Sequence, residues 1–356
     1  MIREMELYQK DLLSVAQSDL AWEKLKDKRI LITGARGMIG SFLIDVLMLR
    51  NKLYGDAITV YALGRNEREA QIRFRRYLRD GQVVFIKQDI NEPLSCILGV
   101  DYIIHAASNT HPIAYAGDPI GTITTNVFGV HHLLNFAVEN GVQKFMFLSS
   151  VEIYGQNRGD VDYFDETYCG YIDCNSLRAG YPESKRAGEA LCNAFAHAHG
   201  IDIVIPRLSR VYGPTMLPQD SKAIAQFINK GIRGENVVLK SKGHQHYSFC
   251  YVADAVSGIL AILLNGEPGE AYNVSGLESD LTLATLAEMI ANISGVKVVY
   301  QSPNAQESAG YSKATKALLD ISKMARLGWE PEFTMKEGLE HTFAILAHLY
   351  NSTVSS

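Results

Sequence analysis

A chain of 356 residues, 47% hydrophobic and 21% charged, has the length and apolar content to bury a full core and to divide into one large and one smaller unit. Its formal net charge of −5 carries no basic footprint for nucleic acid or an anionic membrane surface. No apolar run is long enough to span a bilayer, and the opening MIREMELYQKDLLSV has no signal-peptide core, so a cytoplasmic protein is expected.

Residues 1–28 are predicted as a polar helix and a connector, with Trp22 and Leu25 as docking points. Short β-branched runs follow: RILITGA (29–35), ITVYALG (58–64), QVVFIKQDI (82–90), DYIIHAAS (101–108), KFMFLSSV (144–151) and DIVIPRL (202–208). Between them SFLIDVLML, TNVFGVHHLLNFAVEN and YPESKRAGEALCNAFAHAHG carry apolar residues at helical spacing. Asn140-Gly141 and His199-Gly200 are the expected C-terminal stops of two of these helices. Apolar strands alternating with amphipathic helices make βαβ units and a parallel sheet covered on both faces. The expected fold class is therefore α/β, with a Rossmann-type doubly wound parallel sheet over about residues 29–208.

Beyond residue 208 the elements shorten and Gly and Pro become more frequent. VVLK, YSFCYV and AYNVSG are predicted strands; LTLATLAEMIANISG and TKALLDISKMARLG are predicted helices. A smaller C-terminal α/β lobe, mainly 209–350, is expected to complete a substrate cleft, with parts near 243–264 packing back on the first domain. The five cysteines, Cys96, Cys169, Cys174, Cys192 and Cys250, are irregularly spaced and are expected as reduced thiols in or near the core. His244 and His246 share a strand face but have no recognisable third ligand, and no metal site is expected.

The segment Gly34-Ala35-Arg36-Gly37-Met38-Ile39-Gly40 follows the first strand and opens the first long helix. Glycines at these three places allow a tight turn, close backbone approach to a pyrophosphate, and close packing of helix on strand. The phosphates would sit on the positive helix N-terminus. An acid at the end of the second strand would select NAD, but the chain has Leu63-Gly64-Arg65-Asn66 there. Arg65 can pair with a 2′-phosphate, and Arg36 lies in the neighbouring loop, so NADP is placed slightly ahead of NAD. Asp89-Ile90, closing the third strand, is a candidate adenine contact.

Tyr181-Pro182-Glu183-Ser184-Lys185 sets a phenol and an ammonium four residues apart on one helical face. A free tyrosine has a pKa of about 10, and a cation one turn away is expected to bring it toward neutrality.

In combination, TGARGMIG, IIHAAS, Asn126 in TTNVFGV, FLSSVEIYG, YPESK, PRLSRVYGP and LGWEPEFTMKEGL resemble the nucleotide-sugar epimerase/dehydratase family, the extended short-chain dehydrogenases. The resemblance covers nearly the whole chain. It implies that Ser150 hydrogen-bonds a substrate hydroxyl, Tyr181 removes its proton and Lys185 holds the nicotinamide ribose, leaving a transient 4-keto sugar. It further implies Ala106 and Ala107 beside the cofactor, Thr110, Asn126, Arg210 and Tyr247 around a nucleotide-diphosphate sugar, and a homodimer.

Glu152, two residues after Ser150, resembles the 4,6-dehydratases and the glucuronate decarboxylases rather than the simple 4-epimerases. A carboxylate there can remove the acidified C5 proton once C4 is a ketone. Val151 stands where dTDP-glucose dehydratases carry an Asp, and GDP-mannose-type dehydratases use the glutamate alone with NADP. Tyr247 stands where decarboxylases carry an Arg, and Arg210 where the family has an Asn. The leading expectation is an NDP-hexose 4,6-dehydratase-type lyase. A UDP-glucuronate decarboxylase-like enzyme follows, then a 4-epimerase or 4-keto reductase. A dinucleotide sensor without turnover stands last, because a sensor has no need of the Ser150, Tyr181 and Lys185 geometry.

Overall fold

In β1 (Arg29–Thr33) every position after Arg29 is buried, as a strand covered on both faces requires. The computed structural model describes residues 2–94, 99–110, 115, 117–302 and 314–354. Six more strands follow in order: β2 (Thr59–Gly64), β3 (Val83–Lys87), β4 (Tyr102–His105), β5 (Lys144–Phe147), β6 (Ser149–Ser150) and β7 (Ile203–Leu208). The later strands are β8 (Arg210–Tyr212), β9 (Val237–Leu239), β10 (His246–Tyr251), β11 (Ala271–Val274), β12 (Asp280–Thr282), β13 (Val298–Tyr300) and β14 (Lys316–Ala317). The helices are α1 (Glu6–Ala16), α2 (Met38–Tyr54), α3 (Glu67–Arg79), α4 (Pro119–Glu139), α5 (Gly180–His199), α6 (Ala223–Ile232), α7 (Val252–Asn265), α8 (Leu283–Ser294), α9 (Ser322–Arg326) and α10 (Met335–Val354).

The main sheet runs β3-β2-β1-β4-β5-β7-β11, with β6 also on β7, and every pairing is parallel. The order reverses between β1 and β4, which opens a crevice at the carboxyl ends of those strands. Around β10 a second sheet gathers β8, β12 and β14. The expected helix stops are present: Asn140 ends α4, and Gly200 ends α5 at φ 68°.

Two segments differ from expectation. AYNVSG does not join the second lobe; it forms β11 and extends the main sheet beside β7. The preceding α7, which lies in the stretch near 243–264 expected to return to the first domain, is buried almost all round and packs against α1 and α2. TKALLDISKMARLG is not one helix. Ala317, Leu318 and Leu319 are consecutive and all buried, which suits extended chain enclosed on both sides and not one helical stripe. The Asp320 carboxylate accepts the Ser322 amide at 2.8 Å, and the helix begins only there, as α9.

The predicted N-terminal helix is α1, and one side of it is core: Tyr8, Leu12, Val15 and Ala16 are buried. Trp22 and Leu25 dock as expected. Inside this contact the Tyr8 hydroxyl donates to Asp45 at 2.7 Å and the Tyr251 hydroxyl donates to Asp11 at 2.6 Å. His341 Nδ1 lies 2.7 Å from the other Asp11 oxygen. Cys192 and Cys250 are buried thiols, whereas Cys169 and Cys174 are exposed and Cys96 lies outside the described residues. Among the described residues no helix is long and apolar enough to cross a membrane, and no cluster could hold a metal.

Candidate active site

The glycine turn fits a dinucleotide. Gly34 sits at φ +64°, and a Cβ there would lie 2.6 Å from the Ala106 carbonyl carbon. A Cβ on Gly40 would lie 2.6 Å from the Gly34 oxygen, so the helix start rests directly on the turn. Gly37 caps α2 without a side-chain hydrogen bond. The first amides of the helix, at Met38 and Ile39, have no intrahelical acceptors, as an anion site requires. The Ala107 amide donates to Thr33 Oγ1 at 3.2 Å, which fixes the end of β4 against the turn. Ser108 Oγ is buried without a partner beside this cradle, and Thr110 is exposed further along the same loop. Gly34→Ala is expected to destabilise the fold by about 1–3 kcal/mol through left-handed backbone strain and the clash with Ala106, and to abolish NAD-induced thermal stabilisation. Melting curves with and without NAD check both effects.

Arg65 is exposed, with Nη1 3.9 Å from Asp89, and Arg36 is ion-paired with Glu69. Asp89 also accepts the Asn91 amide at 3.0 Å, closing its own turn. The Ile90 side chain is buried against Gly129 of α4.

Tyr181 and Lys185, the expected catalytic pair, project from the start of α5. Tyr181 is buried, its ring stacked on Tyr115 with centroids 5.7 Å apart. Burial drives the phenol pKa up, and the facing Ser150 hydroxyl opposes that rise. Lys185 is also buried: Nζ donates to the Leu148 carbonyl at 2.7 Å and lies 4.5 Å from the Phe147 ring centroid. Desolvation pulls its pKa down to about 7, against the pull of Glu189. The expected lowering of the phenol by Lys185 is thus not what this geometry delivers. Ser150 is the group that favours the phenolate, while Lys185 is turned toward the strand.

Glu152 lies in a short 3-10 turn after β6. Its Oε2 accepts from Arg178 at 2.8 Å and its Oε1 from Arg210 at 3.3 Å. Burial would raise the carboxyl, but the two guanidiniums outweigh it and hold the group below its usual range. Arg210 lies over the Tyr247 ring at 3.5 Å, and its Nη1 is buried with no hydrogen-bond partner. Arg178 also donates to the Tyr115 hydroxyl at 3.1 Å, joining the cluster to Tyr181.

Two residues expected at the substrate are buried, Asn126 and Tyr247. Asn126 has no exposed surface: its Nδ2 donates to Ser184 Oγ at 2.9 Å, and Ser184 donates to the Tyr181 carbonyl. It fixes the start of α5, and its Oδ1 is buried with no hydrogen-bond partner. Tyr247 is buried beneath Arg210 and donates to the Ala314 carbonyl at 2.7 Å, so it presents the arginine. The sequence reading missed Arg178 and Tyr115. The cue for Arg178 was a basic residue three positions before Tyr181, in a loop with no periodicity.

Residues 30–275 match the NAD dependent epimerase/dehydratase family. UDP-glucuronic acid decarboxylase 3 of Arabidopsis thaliana is 32% identical over 317 residues, covering 87% of this chain and 86% of that protein. The dTDP-glucose 4,6-dehydratase of Streptomyces venezuelae, solved with NAD and TYD bound, is 26% identical with a TM-score of 0.78 over 91% of this chain and 98% of that one. The UDP-glucose 4-epimerase of Thermotoga maritima, solved with UDP-glucose, is 25% identical with a TM-score of 0.75 over 92% and 99% of the two chains.

Proposed function

The chain belongs to the NAD dependent epimerase/dehydratase family, an enzyme family, and we propose that it is a UDP-glucuronate decarboxylase working through a 4-keto sugar. The observation that carries this reading is Glu152 held between Arg178 and Arg210. A carboxylate kept below its usual range is a weak base, poorly suited to removing a C5 proton. Decarboxylation needs no such base, because the C5–C6 bond electrons flow into the C4 ketone as carbon dioxide leaves. The unpartnered Arg210 Nη1 supplies a guanidinium donor for a substrate carboxylate.

A nicotinamide dinucleotide held by Gly34, Gly37, Gly40 and the α2 N-terminus supplies hydride acceptance and return at C4. The chain's own groups handle protons. Ser150 orients the C4 hydroxyl, and Tyr181 takes its proton. The resulting phenol and Ser150 then hydrogen-bond the enolate oxygen that forms as C6 departs; C5 takes a proton from water, and Tyr181 gives its proton back to O4 as C4 is reduced again. Arg178 and Arg210 fix the carboxylate end, and Glu152 keeps the pair in place.

A second reading, a 4,6-dehydratase, is favoured by the position of Glu152 next to Ser150 and by the 26% identity to the dTDP-glucose enzyme. Incubation with UDP-glucuronate, UDP-glucose, dTDP-glucose and GDP-mannose, followed by product mass analysis, separates them. Loss of carbon dioxide from UDP-glucuronate alone is expected. Loss of water from a hexose substrate, with solvent deuterium entering C5, installs the dehydratase instead.

The finer cofactor preference, NADP ahead of NAD, rests on Arg65. Arg65→Ala is expected to weaken NADP about tenfold to a hundredfold, the value of a lost charge-assisted pair, and to leave NAD unchanged. Equal losses in a binding titration remove the preference. The expected homodimer has an exposed apolar edge available on α4 at Ile120, Ile123 and Phe128, and sedimentation tests it.

A further inference from the structure

Tyr181 is the second residue of α5, and the residue before that helix, Ala179, has no side chain to cap it. Helix ends fray, so the backbone alone does not hold a ring in place on the first turn. The support comes from another part of the chain. Tyr115, from the segment between β4 and α4, is stacked on the Tyr181 ring with centroids 5.7 Å apart and planes 21° from parallel. Both rings are buried.

Tyr115 is itself held. Its hydroxyl accepts from Arg178 Nη1 at 3.1 Å, and the Arg178 guanidinium carbon lies 5.8 Å from the centre of its ring. Arg178 belongs to the 3-10 turn Leu177–Ala179, where Ser176 Oγ accepts the Arg178 amide at 3.3 Å. Arg178 Nη2 donates to Glu152 Oε2 at 2.8 Å, and the Glu152 amide donates to Ser150 Oγ at 3.2 Å. Ser150 faces the Tyr181 phenol. Ser150, Glu152, Arg178, Tyr115 and Tyr181 thus make a closed circuit of contacts. The link between Tyr115 and Tyr181 is the one made by packing and not by a polar bond.

We infer that Tyr115 is a positioning residue, whose ring, anchored by Arg178, holds the Tyr181 phenol opposite Ser150 for proton transfer. The inference rests on the reading of Tyr181 as the proton acceptor, and not on which sugar is turned over. A tyrosine ring swings about two side-chain bonds, and an offset stack on one face restricts that swing. Proton transfer needs the acceptor within hydrogen-bond reach of the substrate hydroxyl. A misplacement of about 1 Å at such a group costs about a hundredfold in rate. Arg178 and Glu152 act on Tyr181 only through Tyr115 and Ser150, so removing the Tyr115 ring opens the circuit at the phenol itself.

Tyr115→Leu and Tyr115→Phe are compared with the parent on whichever of the four nucleotide sugars named above the parent turns over. NAD affinity and melting report that each variant is folded. Tyr115→Leu is expected to lower kcat about tenfold to a hundredfold with NAD affinity unchanged. Its solvent deuterium isotope effect on kcat is expected to rise above that of the parent, because proton transfer has become the slow step. Tyr115→Phe keeps the ring and loses only the bond from Arg178, so it is expected to keep most of kcat and the isotope effect of the parent. Should Tyr115→Leu not fold, Tyr115→Met fills more of the space, and the same losses are expected. Unchanged kcat in the folded variant overturns the inference, as does Tyr115→Phe being as slow as Tyr115→Leu. A loss of kcat without a change in isotope effect also overturns it and leaves Tyr115 as packing alone. Tyr181→Phe, run alongside, identifies the other failure: turnover at the parent rate removes Tyr181 as acceptor and the inference with it.

Discussion

Replacing Tyr181 with Phe is expected to lower kcat by about a hundredfold to ten-thousandfold, the range for a lost general base, while NAD affinity stays within about twofold. The ring stack on Tyr115 survives the change, and so does the Lys185 bond to the Leu148 carbonyl. Only the buried hydroxyl opposite Ser150 is removed. Single-turnover kinetics and an NAD titration on the same preparation separate the two quantities. Turnover close to that of the parent would take Tyr181 out of the mechanism, whatever the substrate.

Arg210→Gln is the second large effect. It deletes the guanidinium with a free buried N–H, and kcat/KM for UDP-glucuronate is expected to fall about tenfold to a hundredfold. Binding of UDP-glucose, which has no carboxylate at C6, should change little; equal losses for the two ligands would assign Arg210 to the nucleotide or to packing. A pH consequence follows from the same substitution. Glu152 has a depressed pKa in the folded chain, so its stabilising contribution is present above the unfolded pKa and lost as pH falls through the folded one. With one of its two cations gone, the folded pKa rises, and acid unfolding should begin at higher pH.

The sheet and its cofactor turn were legible in the sequence because their signals are local. A glycine that must take φ +64°, a strand with no polar face, and a Tyr and Lys one turn apart all declare themselves within a few residues. The charge environment was not legible, because it depends on long-range pairing. Arg178 reaches Glu152 across 26 positions, and Arg210 reaches it across 58. Asn126 and Tyr247 carried the expected residue types, and the fold buries both, which no local pattern announced. β11 was read as a strand, but its sheet is set by where α7 turns the chain, which no local pattern encodes.

The docking of α1 has a consequence for the order in which the chain is assembled. Its buried Asp11 is bonded by Tyr251 and His341, residues 240 and 330 positions further along. A ribosome therefore releases this helix long before either partner exists. Until those partners arrive Asp11 stays solvated, and α1 can rest only on α2, through Tyr8 and its bond to Asp45. Its full set of bonds closes only after α10 has left the exit tunnel. Until then the side of α1 that meets α7 and α10 stays uncovered, and that interval is when a nascent chain most needs a chaperone.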